Sequence, residues 1–376
     1  MTATVPSMIG QFNMSNIQLL QNMGYEVDVA CDFNDNSVWT DKRIKKFIDE
    51  LDEKHINHFQ IDYSRNPIDI KRSVKAYKQL HKLFKDRCYA FSHCHTPVAS
   101  VICRVVSYRM KVKCIYTAHG FHFYKGAPLK NWLIFYPIEK ILSYWTDTLI
   151  TINKEDYERA KKSFKAKNVE YVPGIGIDID RIDKVICDRD KVRRELGVLE
   201  NDIMLFSVGE LSSRKNHEVV IRAIKKINNK NIKYFIAGQG VLKDELTKLI
   251  HFYNLQNQVY LLGFRTDIIE LCKASDIFVF PSKQEGLPVA LMEAIACKIP
   301  VICSKIRGNN DLVICEKNGL LFDVNKKDAD TELALCIDKL VSSEALCSSL
   351  EKQMYRSLQS YRIEIVNQYM KKIYCE

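Results

Sequence analysis

Ile277-Phe278-Val279-Phe280-Pro281-Ser282-Lys283-Gln284-Glu285-Gly286-Leu287-Pro288-Val289-Ala290-Leu291-Met292-Glu293-Ala294-Ile295-Ala296-Cys297 is the stretch from which the fold can be read. Its first four residues are uninterrupted apolar and predict a strand buried on both faces. A polar loop follows, and then an apolar helix whose start is marked by Pro288, a residue tolerated in a first helical turn because its missing N–H has no partner there. Strand, loop and helix in this order are one unit of a parallel, helix-flanked sheet. A helix starting at the carboxyl end of a strand turns free N–H groups and partial positive charge toward whatever binds there, which suits a diphosphate. Gly286 permits close approach of a ligand to the backbone. Glu293 stands among alanine, methionine, isoleucine and leucine, and a carboxylate in such company needs hydrogen-bond donors. A ribose diol supplies two, and Glu285, in the loop, is placed to accept from hydroxyls of a sugar. The same two glutamates also fit a plainer reading, with one beside the helix dipole and one at the rim of a crevice.

The pattern extends in both directions. Downstream of residue 200, strands are expected at 203–208, 234–237, 259–262 and 300–303, with helices between. Upstream, strands are expected at 26–31, 90–93, 114–117 and 148–151, with helices near 41–54 and 70–87 and a loop from Pro6 to Gly10. The loop Val172-Pro173-Gly174-Ile175-Gly176-Ile177-Asp178 separates the halves. The expected fold class is therefore α/β, with two doubly wound, Rossmann-like domains in tandem over residues 1–173 and 174–345, and a C-terminal helix over 346–376 packing back across them. In such sheets ligands bind beyond the carboxyl ends of the strands, so the expectation is a central cleft between the domains.

The 376 residues suffice for two cores, and 47% hydrophobic with 27% charged residues is a globular composition. Thirteen cysteines, none in a C-x-x-C pair, read as reduced core thiols rather than a disulfide framework. No basic-apolar leader and no apolar run long enough to span a bilayer is visible, which predicts a cytoplasmic protein. The net charge of +10 is uneven: residues 1–170 carry 26 Lys and Arg against 18 Asp and Glu, or +8, leaving +2 for the remainder. A basic front half suits a membrane surface, a phosphorylated substrate, nucleic acid, or a merely solvated face. No helix-turn-helix, RNP-type or zinc-finger pattern is present, so nucleic acid is not expected as a partner. Between His119 and Thr146, aromatics (Phe121, Phe123, Tyr124, Trp132, Phe135, Tyr136, Tyr144, Trp145) interleave with Lys125, Lys130 and Lys140, a mixture suited to an anionic membrane interface.

The segment Glu285-x7-Glu293, with Gly286-Leu287-Pro288 between and Phe280-Pro281-Ser282 before, resembles the signature of glycosyltransferase family 4, whose members have the GT-B fold. Val208-Gly209-Glu210-Leu211-Ser212-Ser213-Arg214-Lys215-Asn216, Ala237-Gly238-Gln239-Gly240, Leu262-Gly263-Phe264-Arg265 and Asn318-Gly319-Leu320-Leu321-Phe322 follow the family's order. His93-Cys94-His95-Thr96-Pro97, Tyr116-Thr117-Ala118-His119-Gly120 and Pro173-Gly174-Ile175-Gly176 look like the branch that builds capsule and exopolysaccharide repeat units.

The resemblance implies a retaining transfer of a hexose or N-acetylhexosamine from a nucleotide-sugar, UDP-linked by analogy, to a polyprenyl-diphosphate-linked acceptor at the inner face of the plasma membrane. It implies Lys215 on the diphosphate, Glu293 on the ribose, and Glu285 and His119 on the transferred sugar. Gly209, Arg214, Gly238, Arg265, Ser282, Gly286, Leu287 and Pro288 complete the expected donor site. No cofactor and no metal is expected, since GT-B enzymes of this kind generally dispense with a metal and His93-x-His95 lacks a nearby ligand set. Two departures stand out. Glu210 occupies a position where many members carry arginine, and Ser7-Met8-Ile9-Gly10-Gln11 replaces paired glycines. Within the same architecture, a nucleotide-sugar 2-epimerase and a catalytically idle partner subunit are the competing readings.

Overall fold

Parallel strands require long crossover connections, and this chain supplies a helix for nearly every one. The computed structural model describes residues 1–376 and falls into two units, Met1–Gly176 with Ile363–Glu376, and Ile177–Arg362.

In the first unit, β1 (Asp28–Cys31) pairs with β2 (Asn57–Gln60), and β3 (Phe91–His95), β4 (Lys113–Ala118), β5 (Thr148–Thr151) and β6 (Asn168–Tyr171) lie side by side in that order, all parallel. Thr2 bridges both Ala30 of β1 and Cys94 of β3, so the opening residues join the two pieces. The expected loop from Pro6 to Gly10 is instead a helix, Pro6–Phe12, with the proline in its first turn.

In the second unit, β7 (Ile203–Val208), β8 (Ile232–Ala237), β9 (Val259–Gly263), β10 (Ile277–Phe280), β11 (Val301–Ser304) and β12 (Leu320–Phe322) form one parallel sheet in the order β12-β11-β10-β7-β8-β9. Read from its other edge, this is the doubly wound order 3-2-1-4-5-6, whose direction of winding reverses between β7 and β10. All four residues of β10 and of β11 are buried, as expected of central strands covered by helices on both faces. Phe206, Phe278 and Phe280 fill the space around the reversal.

The domain boundary falls at Gly176–Ile177 rather than after residue 173, and the C-terminal region is not one helix. It is a helix Glu344–Ser357 in the second unit, a 3-10 turn Gln359–Tyr361, and a helix Ile363–Cys375 that returns to the first unit. There Ser15 donates to Asn367 Oδ1 at 3.0 Å, and Tyr374 is buried with its hydroxyl 2.9 Å from His93 Nδ1. The break lets one chain end complete the core it began.

All thirteen cysteines are free. The aromatics expected at a membrane interface mostly point inward: Phe121 and Phe123 are buried, and Trp132, Phe135 and Tyr136 pack half-buried against the same core. Tyr144 alone of that group is well exposed. No helix is long and apolar enough to cross a membrane.

Candidate functional site

The reversal between β7 and β10 brings together two loops that are about 70 residues apart in sequence. The loop after β7 carries Gly209 to Asn216, and the loop after β10 carries Pro281 to Pro288. Backbone and side chains stitch them. The Lys283 N–H donates to the Arg214 carbonyl at 2.8 Å, Asn216 Nδ2 to the Pro281 carbonyl at 3.2 Å, and Arg214 Nη1 to the Gln284 carbonyl at 3.2 Å.

Two cations converge on one carboxylate in this stitched pair. Lys215 Nζ lies 2.7 Å and Arg214 Nη1 3.1 Å from the same oxygen, Oε1 of Glu285. The Lys215 ammonium also lies over the Phe280 ring, 4.6 Å from its centroid. Lys215 and Glu285 are nearly buried, with side chains 13% and 10% exposed, so their charges are poorly screened by water. Burial lowers the Lys215 ammonium from its ordinary value, and the Glu285 carboxylate opposes that shift. Glu210 is turned outward, with a side chain 57% exposed and its carboxylate 4.0 Å from Arg214. Arg214, four residues further along the same loop, is the cation beside it.

Close packing of backbone on backbone fixes the loops. A Cβ at Gly238 would lie 1.8 Å from the Gly209 carbonyl oxygen, and one at Gly308 2.2 Å from that of Gly286. Gly308 also has φ +81°, a left-handed conformation that favours glycine. The neighbouring Arg307 is buried and donates Nε to the Glu285 carbonyl at 3.1 Å. A third loop, after β11, therefore clamps the Glu285-Gly286 segment from outside. Arg307 and Gly308 were not among the residues expected at the site. The available signal was a glycine just past a strand's carboxyl end, in Ser304-Lys305-Ile306-Arg307-Gly308.

The remaining expected donor residues are spread along the same edge. Pro288 is the N-cap residue of the helix Val289–Ala296, and Leu287 is buried beside it. Ser282 is fully buried; its carbonyl accepts from Ser304, and its own hydroxyl has no partner. Glu293 lies in the second turn of that helix, half-buried, with Arg181 Nη2 3.8 Å away. Burial raises its carboxyl above the ordinary value, and Arg181 counteracts this. Arg265 is not drawn into the cluster: its guanidinium grips Asp267 in a two-pronged pair, with Nε 2.7 Å from Oδ1.

In the first unit, His119 follows β4 and its Nε2 lies 3.1 Å from Nδ1 of His95, the last residue of β3. The His93 ring lies tilted against that of His95, centroids 4.2 Å apart, and its Nε2 is hydrogen-bonded with Thr117 Oγ1 at 2.8 Å. Burial lowers His119 to about 4 and, with the N-terminal ammonium adding to it, His93 to about 3, and it takes His95 well below its ordinary value. His119 is thus neutral at pH 7, and the proton-carrier role that an ordinary imidazole would allow gives way to hydrogen bonding. The loop after His119 is held by Asp156, a buried carboxylate accepting the Phe121 N–H at 3.0 Å and Asn153 Nδ2 at 2.8 Å.

Comparison with known proteins gives this geometry its context. Residues 188–357 match the family model for Glycosyl transferases group 1, and residues 10–153 that for Glycosyl transferase 4-like. The chain is 32% identical over 358 residues to "Putative glycosyltransferase EpsD" of Bacillus subtilis, covering 93% of this chain and 89% of that one. It is 29% identical over 329 residues to an Escherichia coli UDP-Gal:alpha-D-GlcNAc-diphosphoundecaprenol alpha-1,3-galactosyltransferase, covering 85% and 82%. Among solved structures, Anabaena Alr3699/HepE, crystallised in complex with UDP, superposes with a TM-score of 0.78 at 20% identity, covering 100% of this chain and 98% of that one. With the doubly wound strand order, the stitched loops at its reversal and this likeness over nearly the full length, the chain belongs to the family 4 glycosyltransferases and has their GT-B fold.

Proposed function

We propose that this glycosyltransferase moves a hexose or N-acetylhexosamine, with retention of configuration, from a UDP-sugar to a polyprenyl-diphosphate-linked saccharide during capsule or exopolysaccharide assembly. The observation that carries the donor side is the convergence of Lys215 and Arg214 on Glu285. Without ligand, the two cations neutralise a nearly buried carboxylate. A diphosphate offers them a doubly charged partner, and their transfer to it frees Glu285 to accept from hydroxyls of the sugar. Charge on the leaving nucleotide is then met by two fixed cations and the N-terminus of the Val289–Ala296 helix, in a place where water screens little. In this reading no metal takes part. Glu293, whose only ionic partner is the distant Arg181, accepts the ribose hydroxyls.

His119 takes a neutral donor role. If His95 Nδ1 carries the shared proton, the unpaired Nε2 of His95 is a lone pair rather than a buried orphan N–H, which is the less costly arrangement. His119 then presents Nδ1–H to a sugar hydroxyl. In the transfer itself, the bond between the anomeric carbon and the diphosphate oxygen breaks and its electron pair leaves with the nucleotide. The acceptor hydroxyl oxygen bonds to the same face, and its proton passes to the departing phosphate. The lipid-linked acceptor is supported by the Escherichia coli relative and by a Campylobacter jejuni relative, 36% identical over 129 residues, that acts on a diphospho-undecaprenol saccharide.

A panel of nucleotide-sugars tested for protection against thermal unfolding checks the donor. The true donor at a hundred times its dissociation constant adds about 2.7 kcal/mol. Protection by none of them refutes the reading, and a product anomer of inverted configuration by NMR refutes retention.

A further inference from the structure

The helix Leu129–Ser143 is apolar on both sides. Its inner side, with Trp132, Phe135, Tyr136 and Leu142, packs into the first unit's core or against its edge. Its outer side carries Leu129, Leu133, Ile134, Ile138 and Ile141, every one at least 41% exposed and Leu129 72% exposed, and is continued by the exposed Tyr144. At 100° per residue these side chains fall within one half of the helix surface. Aliphatic side chains gathered on a single short helix are not the scattered exposure of an ordinary surface.

Charge on the helix is sorted in the same way. Its one acid, Glu139, is turned inward and paired with buried Arg104 at 2.8 Å. Lys130 and Lys140 are exposed on the outer half, and Lys125 is exposed just before the helix. The outer face is therefore aliphatic with positive charges and no negative one. A second copy of the chain docking face to face would bring these lysines against their own equivalents. An anionic bilayer meets both features, with headgroups for the lysines and the acyl boundary for the aliphatic side chains.

We propose that the outer face of the 129–143 helix lies in the interface of an anionic membrane, its aliphatic side chains in the acyl boundary and Lys130 and Lys140 among the headgroups. This rests on the reading that the acceptor is lipid-linked, and it assigns the anchoring to aliphatic residues rather than to the interleaved aromatics. Anchoring of this kind has an apolar component that salt does not remove, beside an electrostatic one that it does.

The test is co-sedimentation of the full chain with vesicles of phosphatidylcholine containing a third phosphatidylglycerol. Wild type should bind, losing a few-fold of its partition coefficient between low and high salt. The exposed pair Leu133→Ser with Ile138→Ser should lose at least tenfold at both salt concentrations. Lys130→Glu with Lys140→Glu should lose its binding chiefly at low salt. Nucleotide-sugar protection against thermal unfolding, measured on the same preparations, should be the same in all three. Failure of donor protection in wild type would refute the transferase donor reading without bearing on the vesicles. Equal vesicle binding by wild type and the serine pair overturns the proposal, as does a wild-type dimer in light scattering that the serine pair dissociates while neither binds vesicles.

Discussion

The two units end their parallel sheets in opposite electrostatic character. Beyond β7 and β10 the second unit holds ionised groups against each other: Lys215, Arg214 and Glu285, with Glu210 outside. In the carboxyl half of β3 and just beyond β4 the first unit holds three imidazoles that burial keeps neutral, His93, His95 and His119. The same fold thus furnishes one end suited to a diphosphate, which needs fixed charge, and another suited to hydroxyls, which need oriented donors and acceptors. Strand order supplies the place, and the side chains at the strand ends decide the chemistry.

The sharpest way to break this contrast is to remove the charge. Lys215→Ala should lower kcat by about 10²–10³-fold, the usual cost of deleting one group that stabilises developing charge. A loss of less than tenfold in single-turnover assays would show that Lys215 does not meet the leaving group.

The second test uses acid. The three histidines of the first unit have folded pKa values below the ordinary value near 6.5, so the unfolded chain binds more protons as pH falls. Their contribution to stability is complete above about pH 6.5 and is lost as pH falls toward about 4, where His119 titrates. The second unit has one comparable group, His217, lowered to about 4. The first unit should therefore open at higher pH. Trp39, Trp132 and Trp145 are the three tryptophans of the chain and all lie in it, so tryptophan fluorescence reports it alone. Amide exchange in β7, β8 and β10 reports the other. Simultaneous opening, or opening of the second unit first, would remove the contrast.

A smaller effect is expected at Glu293. Glu293→Gln should weaken UDP binding about tenfold, the worth of hydrogen bonds to a charged group. Wild-type affinity should fall as pH drops through the raised carboxyl pKa, while the glutamine variant stays flat; parallel pH profiles by calorimetry would take the ribose away from Glu293. The smallest belongs to Glu210→Gln, expected to tighten UDP binding by no more than about threefold, because an exposed pair at 4.0 Å is largely screened. A tenfold change in either direction would mean that Glu210 takes part in the site.

Much of this was legible in the sequence. Apolar runs bounded by Gly and Pro located nine of the twelve strands, missing the short β2, β6 and β12, and one odd glutamate in an apolar helix marked Glu293. Three features were not legible, each for a physical reason. Arg307 and Asp156 act on the backbone of other loops, so nothing in their own neighbourhood announces them. The 129–143 helix is apolar on both sides, so periodicity could not tell its core face from its exposed one. The last helix breaks at 358–362, where no proline or glycine marks it, because its final turns complete the core of the first unit.

The sequence by itself determined two α/β units, a lysine and a glutamate at strand-to-helix turns with a second glutamate in the helix that follows, and a basic front half, because each follows from local pattern and chemistry. Only the tertiary structure decided that Lys215 and Arg214 share one oxygen of Glu285, that burial makes His119 neutral, and that the aliphatic rather than the aromatic face of a helix is exposed. Those depend on which strands become neighbours and which surfaces meet water, and no local spacing encodes either.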